Sequence, residues 1–223
     1  MSSNLDRTFV TRLLQDKVAV KSAEELIQRF GALEARRQEL GTLGLLDLAE
    51  PSAMSEPSLA TVTDLVTQKE DVFSLYADDM ETKLGVFDEL KAKLEVLRDR
   101  VNRRFKYKTM EIDPARGFSF RSHSGVRLNS TALSSGEQHV VILLYELLFV
   151  AEPGDLVMID EPELSLHIDW QMAFPDDLRE AQRVSAIDIL VATHSPAIVG
   201  AAQDLLVPLI GPEVPLDAVE GEA

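Results

Sequence analysis

The chain has 223 residues, of which 45% are hydrophobic, and a formal net charge of −16. This length and apolar fraction suffice for a packed core and argue against wholesale disorder. The absence of cysteine excludes disulfides, thiolate metal sites and a cysteine nucleophile, and the strong negative charge argues against a dedicated nucleic-acid binder, since it repels phosphate backbones.

Nothing in the sequence predicts a membrane segment. No apolar run reaches the roughly 20 residues that span a bilayer. The first residues lack the basic and apolar regions of a signal peptide. We therefore expect a soluble, cytoplasmic chain with no membrane partner.

The first half of the chain has the pattern of helices. Ser22 and Glu25 form a capping box, which predicts a helix that ends near Leu40. Glycine, proline and hydroxyl residues then predict a loop over residues 41–62. From 80 to 101, apolar residues recur at steps of three and four over about three heptads, so a second long helix is expected. Two such helices indicate an antiparallel arm, and the alternative is a helical subdomain packed on the core.

A basic stretch closes this half. Six basic residues and one acidic residue lie between Arg98 and Lys108. Such a run suits an acidic partner or DNA. It also suits the solvated end of a helix, where cations complement the C-terminal dipole. Both interpretations stay open from sequence.

The character of the chain changes after Tyr107. Short β-like pieces are predicted at 110–112, 117–120 and 126–128. A helix follows at 138–150; it is apolar nearly all round and is expected to be buried. Apolar runs of strand length at 156–159 and 187–191 lie between helical stretches, which predicts a parallel sheet with crossover helices.

The residues that open the 138–150 helix form the first candidate site. Ser134 to Gln138 read Ser-Ser-Gly-Glu-Gln. Glycine lets the backbone approach a ligand closely, and a helix N-terminus offers free N–H groups and positive potential, so this corner is suited to phosphate. The alternative is that Ser134 and Glu137 form a capping box that needs no ligand.

Two carboxylates form the second candidate site. Asp160 and Glu161 end an apolar strand, and ligands bind at the carboxyl ends of parallel strands. In ATPases the first acid of such a pair holds Mg²⁺, mostly through water, and the second polarises the attacking water. Two acids at a solvent-facing strand end are the alternative.

A histidine forms the third candidate site. His194 ends the second apolar strand, which would bring its imidazole to the same sheet edge as Asp160 and Glu161. An imidazole there can donate a hydrogen bond to a terminal phosphate. The alternative is that Ser195 caps a helix with Pro196 at its first position and that His194 is incidental.

In this order the motifs resemble those of a known family. Leu133 to Gln138 resembles the ABC signature, 156–161 resembles Walker B, and His194 stands in the place of the switch histidine. The segments Asp-Glu-Pro-Glu-Leu-Ser-Leu-His and Ala-Thr-His-Ser-Pro are similar to motifs of the AAA-type core, ABC-class ATPases of the OLD-like and RecF/SMC-like branch. The close resemblance covers residues 128 to 200.

The resemblance implies a fold and a division of the chain. The expected fold class is α/β, a partial P-loop NTPase (ABC-type) sheet with flanking helices, preceded by a helical arm or subdomain. The expected domains are a helical part at 1–106, the C-terminal part of an ATPase domain at 107–205 and an acidic tail at 206–223.

The resemblance also implies residue roles, with ATP and Mg²⁺ as cofactors. Asp160 would support Mg²⁺, Glu161 would be the general base, and His194 would contact the γ-phosphate. The signature would contact ATP held by the opposite subunit, through Ser134, Ser135, Gly136, Glu137 and Gln138. The D-loop would line the dimer seam, through Ser165, Leu166 and His167.

One motif of the family has no match in this sequence. None of the eleven glycines is followed by lysine, so the phosphate loop Gly-x-x-x-x-Gly-Lys-Ser/Thr (Walker A) does not occur. Three explanations follow: the chain is a fragment or truncated gene product, it pairs with a Walker-A-bearing chain, or it is a degenerate subunit. We expect it to complete only part of an ATP site in trans, as a homodimer or with a Walker-A-bearing partner, and to hydrolyse ATP weakly or not at all alone. DNA contact would belong to the full assembly. A noncatalytic scaffold or degenerate subunit is the alternative.

Overall fold

The computed structural model describes residues 9, 11–13, 19–46, 66–113, 116–200 and 202–207. The predicted loop beyond residue 46 and the predicted tail beyond residue 207 lie outside the described residues. The longer elements in chain order are α1 (Ala23–Thr42), α2 (Glu70–Gly85), α3 (Asp88–Arg104), β1 (Lys108–Asp113), β2 (Gly117–Ser122), β3 (Arg127–Leu128), α4 (Ser135–Tyr145), β4 (Leu156–Asp160), α5 (Ile168–Ser185), β5 (Asp188–Ala192) and α6 (Pro196–Gly200). The mixed α/β class is as predicted.

Helix α1 begins where the capping signal places it. Ser22 is the N-cap, and its Oγ accepts a hydrogen bond from the backbone N–H of Glu25 at 3.3 Å. The helix ends at Thr42, slightly beyond the predicted Leu40. The local sequence therefore determines this helix well, because capping acts within one turn.

The prediction of an antiparallel helical arm is wrong, because α1 runs parallel to α2 and the start of α3. Contacts between the helices show this direction, because residue numbers increase together along α1 and along its partners. The pairs are Ala23 with Glu70, Arg29 with Asp78 and Glu81, and Glu39 with Lys91. Parallel neighbours need a long crossover between them, unlike antiparallel helices joined by a short loop. Residues 43–69 separate α1 from α2 along the chain.

The single helix predicted over residues 80–101 is also wrong in one respect. The helix is interrupted at Val86 and Phe87, between α2 and α3, although both residues keep right-handed helical dihedrals. The heptad pattern therefore crosses a break in the helix. Apolar periodicity alone does not detect such a break, since it reports one buried face and not continuous hydrogen bonding.

Two hydrophobic clusters organise the described residues. The first lies mainly between α1 and α2, and its buried members are Leu26, Phe30, Leu33, Leu40, Val66, Ala77 and Leu84. The second fills the α/β half and takes in Leu97 and Val101 from α3. Helix α3 thus begins beside the helical part and packs into the core of the α/β part, so it connects the two parts.

Part of the basic stretch at the end of α3 is used inside the protein. The buried guanidinium of Arg104 pairs with Asp177 of α5 and donates to the carbonyl of Trp170 at 2.8 Å. Arg100 also contacts Asp177, at 3.4 Å. Burial raises the pKa of Asp177 even though both guanidiniums lie beside it. These contacts tie α3 to α5.

The three predicted β pieces form one antiparallel sheet in the order β1-β2-β3. Met110 pairs with Phe120, and Phe120 pairs with Leu128. The Asn102 side chain of α3 bonds both backbone groups of Met110, accepting from its N–H at 2.7 Å and donating to its carbonyl at 3.1 Å. One amide therefore fixes β1 against the preceding helix.

The predicted parallel pair is present as β4 and β5, with α5 as the crossover. Asp160 lies opposite Ala192 at the carboxyl end of both strands. One face of the pair packs on the core through Val157, Ile159, Ile189 and Val191. Residues on the opposite face, including Asp160, are exposed.

The expectation that the 138–150 helix is buried all round is wrong. Val140, Leu144, Leu147 and Leu148 are buried, but Ile142, Tyr145 and Val150 are exposed. The α-helix passes into a π-helical turn at Glu146–Val150. The helix therefore covers the core with one face only. No helix in the described ranges is both long and apolar enough to cross a membrane.

Candidate functional site

The signature residues form a reciprocal capping box at the start of α4. Ser134 Oγ accepts from the Glu137 N–H at 3.3 Å, and Glu137 Oε2 accepts from the Ser134 N–H at 2.7 Å. The box predicted as the alternative interpretation is therefore present. Ser134, Ser135 and Gln138 are exposed. The Gln138 amide donates to the Ser130 and Leu133 carbonyls, both at 3.3 Å, so the two serine hydroxyls are the side-chain groups open to a ligand beside the cap.

Lys108, from the basic stretch, neutralises the charge of Glu137 at this corner. Lys108 Nζ donates to Glu137 Oε2 at 2.6 Å and to the Ala132 carbonyl at 2.9 Å. Burial alone would raise the pKa of Glu137, but the bonds from Lys108 and Ser134 hold it below its usual value. The carboxylate is therefore ionised and paired, so the α4 N-terminus keeps its positive potential.

Gly136 is buried and packs directly on the D-loop. A methyl group added at Gly136 would overlap the carbonyl oxygen of Ser165 and lie 3.7 Å from the Trp170 ring. Glycine is thus required for the close approach of two backbones. The helix opened by the candidate signature and the candidate D-loop of the same chain are in contact here.

The D-loop residues divide by burial. Ser165 and His167 are exposed, whereas Leu166 is buried at 7% exposure and anchors the loop in the core. His167 caps α5, with Nδ1 accepting from the Asp169 N–H at 3.3 Å. Ser165 and His167 are therefore accessible at the surface, whereas Leu166 is not.

Two of the predicted site residues have strained backbones. Glu161 has φ +45° and Ser165 has φ +70°, values that non-glycine residues adopt at a cost of roughly 1–3 kcal/mol. The Glu161 N–H donates to the Ala192 carbonyl at 2.8 Å, which fixes the turn to the neighbouring strand. Strain of this kind concentrates at functional sites, where the surrounding structure enforces an unusual side-chain direction.

The donor set of this edge suits Mg²⁺ and does not form a closed metal cage. Asp160 and Glu161 supply carboxylate oxygens, which Mg²⁺ prefers, and Asp160 is exposed. The described residues contain no group of three His, Asp or Glu side chains able to hold a metal ion. Mg²⁺ commonly keeps several waters and binds with one or two carboxylates plus substrate phosphate, so Asp160 fits that role together with a nucleotide.

His194 lies at the same edge as the two acids. It follows β5 by two residues, while Glu161 directly follows β4, and the two strands are parallel and in register at Asp160 and Ala192. The residue is exposed, and no described residue makes a hydrogen bond with its imidazole. The strand register therefore places the backbones of the two acids and the histidine at one edge of the sheet, and their roles as site residues stay a prediction.

The loop that carries His194 is held by a third acid. Glu163 Oε2 accepts from Thr193 Oγ1 at 2.7 Å, and Oε1 accepts from the His194 N–H at 2.8 Å. Burial acts to raise the pKa of Glu163, but these bonds lower it on balance. The Glu163 carboxylate therefore stays ionised at neutral pH.

The other side of this loop is tied to the D-loop. Ser195 Oγ accepts from the Ala197 N–H at 3.2 Å, so the predicted serine cap of α6 is present. The same hydroxyl donates to Gln171 Oε1 at 2.7 Å, and Gln171 Nε2 donates to the Leu166 carbonyl at 3.0 Å. Gln171 thus joins the loop after β5 to the D-loop.

Sequence reasoning missed Lys108, Glu163 and Gln171. Glu163 had a usable signal, because it is the third acid in four residues and Thr193 precedes the candidate histidine. Lys108 and Gln171 had none, since their partners lie 29 and 24 positions away along the chain. A shallow hollow of about 700 Å³ opens beside this network, lined by Glu163, Ile168, Gln171 and His194 among others.

The fold and the site define a mixed α/β domain of the P-loop NTPase-like kind, with an acidic pair and a histidine at one edge of a parallel sheet. The chain belongs to the family described as "AAA domain, putative AbiEii toxin, Type IV TA system", whose model matches residues 44–200. Membership in this AAA family implies nucleotide binding, usually with Mg²⁺, and makes this an ATPase-like domain.

One solved structure similar to this chain is an Smc head domain with an extended coiled coil, bound to the C-terminal domain of ScpA, from Pyrococcus furiosus. The identity is 12% and the TM-score is 0.32, over 89% of this chain and 49% of that chain. This chain therefore spans about half the length of that one. No curated protein sequence matches it.

Proposed function

We propose that the chain supplies part of a composite ATP site in an ATPase of the OLD-like and SMC-like kind. The observation that carries this proposal is the meeting of Asp160, Glu161 and the His194 loop at one sheet edge, in register across β4 and β5. The strained backbone at Glu161 adds support, because strain of this kind concentrates at functional sites.

Each residue of this edge has a distinct task in ATP hydrolysis. Glu161 orients the attacking water and accepts its proton as general base. Asp160 would hold Mg²⁺, and the ion would neutralise charge on the phosphates when bound. His194 donates a hydrogen bond to the γ-phosphate and therefore responds to its loss.

The signature corner serves a nucleotide held by the opposite subunit. The exposed hydroxyls of Ser134 and Ser135 and the α4 N-terminus offer donors to phosphate oxygens. Lys108 removes the unfavourable charge that Glu137 would otherwise present to an anion. Gly136 supports the corner from behind through its contact with Ser165, and the exposed Ser165 and His167 face the seam.

The remaining part of the site is proposed to come from a Walker-A-bearing segment of a partner subunit. The β4–β5 face that carries Asp160 also exposes three large apolar side chains: Leu156 at 61%, Met158 at 74% and Leu190 at 58%. Parallel sheets are normally covered on both faces. Within the described residues no strand pairs with the outer edge of β4 or β5. A partner that covers this face would bring its phosphate loop next to Asp160.

A noncatalytic scaffold is the second candidate function. Two observations favour it. The helical part has a hydrophobic core of its own, and the Arg100 and Arg104 side chains fasten α3 to α5. In a scaffold, the α/β half would serve to support the helices. Nucleotide binding distinguishes the two functions, because only the composite site requires exposed signature hydroxyls.

The test is the binding of a fluorescent ATP analogue to a mixture of this chain and a Walker-A-bearing chain of the same family. We expect the mixture to bind more tightly than either chain alone. Ser135→Arg should weaken binding by about tenfold or more, since a bulky cation fills the corner and about 1.4 kcal/mol corresponds to tenfold. Thr82→Arg, on the exposed side of α2, is the matched control and should have no effect.

Two results would favour the scaffold over the composite site. The first is a mixture that binds no better than the Walker-A-bearing chain alone. The second is a Ser135→Arg variant that behaves like Thr82→Arg while remaining folded. Either would remove the signature corner from the nucleotide site.

A further inference from the structure

The His194 loop has an anchor that the proposed roles do not use. Glu163 follows Pro162 in the turn after β4, and each of its carboxylate oxygens accepts one hydrogen bond from the loop after β5. One bond comes from the Thr193 hydroxyl and the other from the backbone N–H of His194. The half-buried side chain of Glu163 therefore links the turn that carries Glu161 to His194.

The directions of these bonds are fixed by their neighbours. Thr193 Oγ1 accepts from the Ser195 N–H at 3.0 Å, so its own proton is free to point to Glu163. The N–H of His194 can only donate, and an ionised carboxylate can only accept. The arrangement is thus fully matched when Glu163 is charged, and charge-assisted hydrogen bonds of this kind are stronger than neutral ones.

The imidazole of His194 has no such support of its own. It is exposed, and no hydrogen bond joins it to any residue in the described ranges. Its position in space therefore follows from where its backbone is held. The backbone is held by Glu163 on the β4 side and, through Ser195 and Gln171, on the D-loop side.

We propose that Glu163 is a positioning residue that locks the His194 loop to the turn after β4, so that the backbones of His194 and Glu161 keep a fixed separation. The consequence for phosphate sensing rests on the proposed function, but the lock itself does not. A movement of the β4 turn, on which Glu161 lies, is then passed directly to His194 through one carboxylate.

The experiment measures amide hydrogen exchange and histidine resonances of the full chain by NMR at neutral pH. Glu163→Ala should accelerate exchange of the His194 N–H by about tenfold, the change expected for loss of a hydrogen bond to a charged group. It should also shift and broaden the imidazole C–H resonances of His194. The Glu161 N–H, which bonds to Ala192 instead, should keep its protection within about twofold.

Two further variants separate positioning from general loosening. Glu163→Gln keeps an acceptor for His194 and a donor for Thr193, so most of the protection and the imidazole shifts should return to wild-type values. Glu152→Ala removes an exposed glutamate from the turn before β4 and should change neither. Unchanged exchange at His194 in Glu163→Ala would overturn the proposal, and so would failure of Glu163→Gln to restore it.

Catalysis gives an independent readout in the mixture with a Walker-A-bearing chain. Glu163→Ala should lower kcat with little change in KM, because it misplaces a group that acts on the terminal phosphate, and Glu163→Gln should recover most of the rate. If no mixture hydrolyses ATP, the proposed function fails, and the exchange data still decide whether Glu163 holds the loop.

Discussion

Gly136 and Ser165 are in backbone contact, so the signature corner and the D-loop of one chain cannot move independently. The Ser165 carbonyl occupies the space that a side chain at position 136 would need. Ser165 itself has a positive φ, which turns that carbonyl toward the helix. The need for glycine at position 136 is thus explained by its contact with a residue 29 positions further along the chain.

Gly136→Ala is predicted to destabilise the protein by about 1–3 kcal/mol, because the new methyl group must displace the D-loop backbone. Gly31→Ala is the matched control: Gly31 lies within α1 with nothing near its would-be Cβ, so the change should stabilise by roughly 0.5–1 kcal/mol. Urea unfolding of both variants measures the two effects. Equal shifts of the same sign would contradict the contact.

Arg104 is predicted to be the most sensitive residue of the basic stretch. Arg104→Ala leaves Asp177 buried with weaker compensation, and breaking a buried pair on one side costs about 3–5 kcal/mol. Arg98→Ala, which removes an exposed contact with Asp99, should cost about 0.5 kcal/mol or less. Thermal or urea unfolding gives both values, and similar small losses for the two variants would show that the stretch does not tie α3 to α5.

The stability supplied by Glu137 is predicted to depend on pH. Its pKa in the folded protein is below the unfolded value of about 4.3. The contribution is therefore complete above the unfolded value and is lost as pH falls through the folded value. Glu137→Gln should cost most at pH 7, and the difference from wild type should shrink below about pH 4.

Urea midpoints of wild type and Glu137→Gln, compared at neutral pH and near pH 3.5, measure this dependence. Lys108→Met is the companion variant, since it removes the main side-chain partner of the same carboxylate. A Glu137→Gln cost that is constant across this range would mean that the carboxylate is not held ionised by Lys108 and Ser134.

The parts of the fold that sequence predicts are those set by local chemistry. The caps at Ser22 and Ser134 act within a single turn, and the runs at 156–159 and 187–191 are long enough to identify as strands. Their parallel pairing follows from the helix between them. This also brings Asp160, Glu161 and His194 to one edge, because the carboxyl ends of parallel strands coincide.

The parts that sequence does not predict depend on distant partners. The parallel direction of α1 against α2 rests on pairs such as Arg29 with Asp78, which no local pattern encodes. The exposed face of α4 reflects the absence of a covering element among the described residues, not a polar sequence. Lys108 and Gln171 gain their roles only when their partners arrive from other elements.

Steady-state ATP hydrolysis by this chain, by a Walker-A-bearing chain of the same family and by their mixture tests the central claim most directly. This chain alone should turn over ATP weakly or not at all, and the mixture should turn over ATP faster than the Walker-A-bearing chain alone. Glu161→Gln in this chain should lower the mixture's kcat by about 10²–10⁴, the usual contribution of a general base, while Glu152→Gln should leave it unchanged. Efficient turnover by this chain alone that Glu161→Gln abolishes, or a mixture indifferent to Glu161→Gln, would contradict the account.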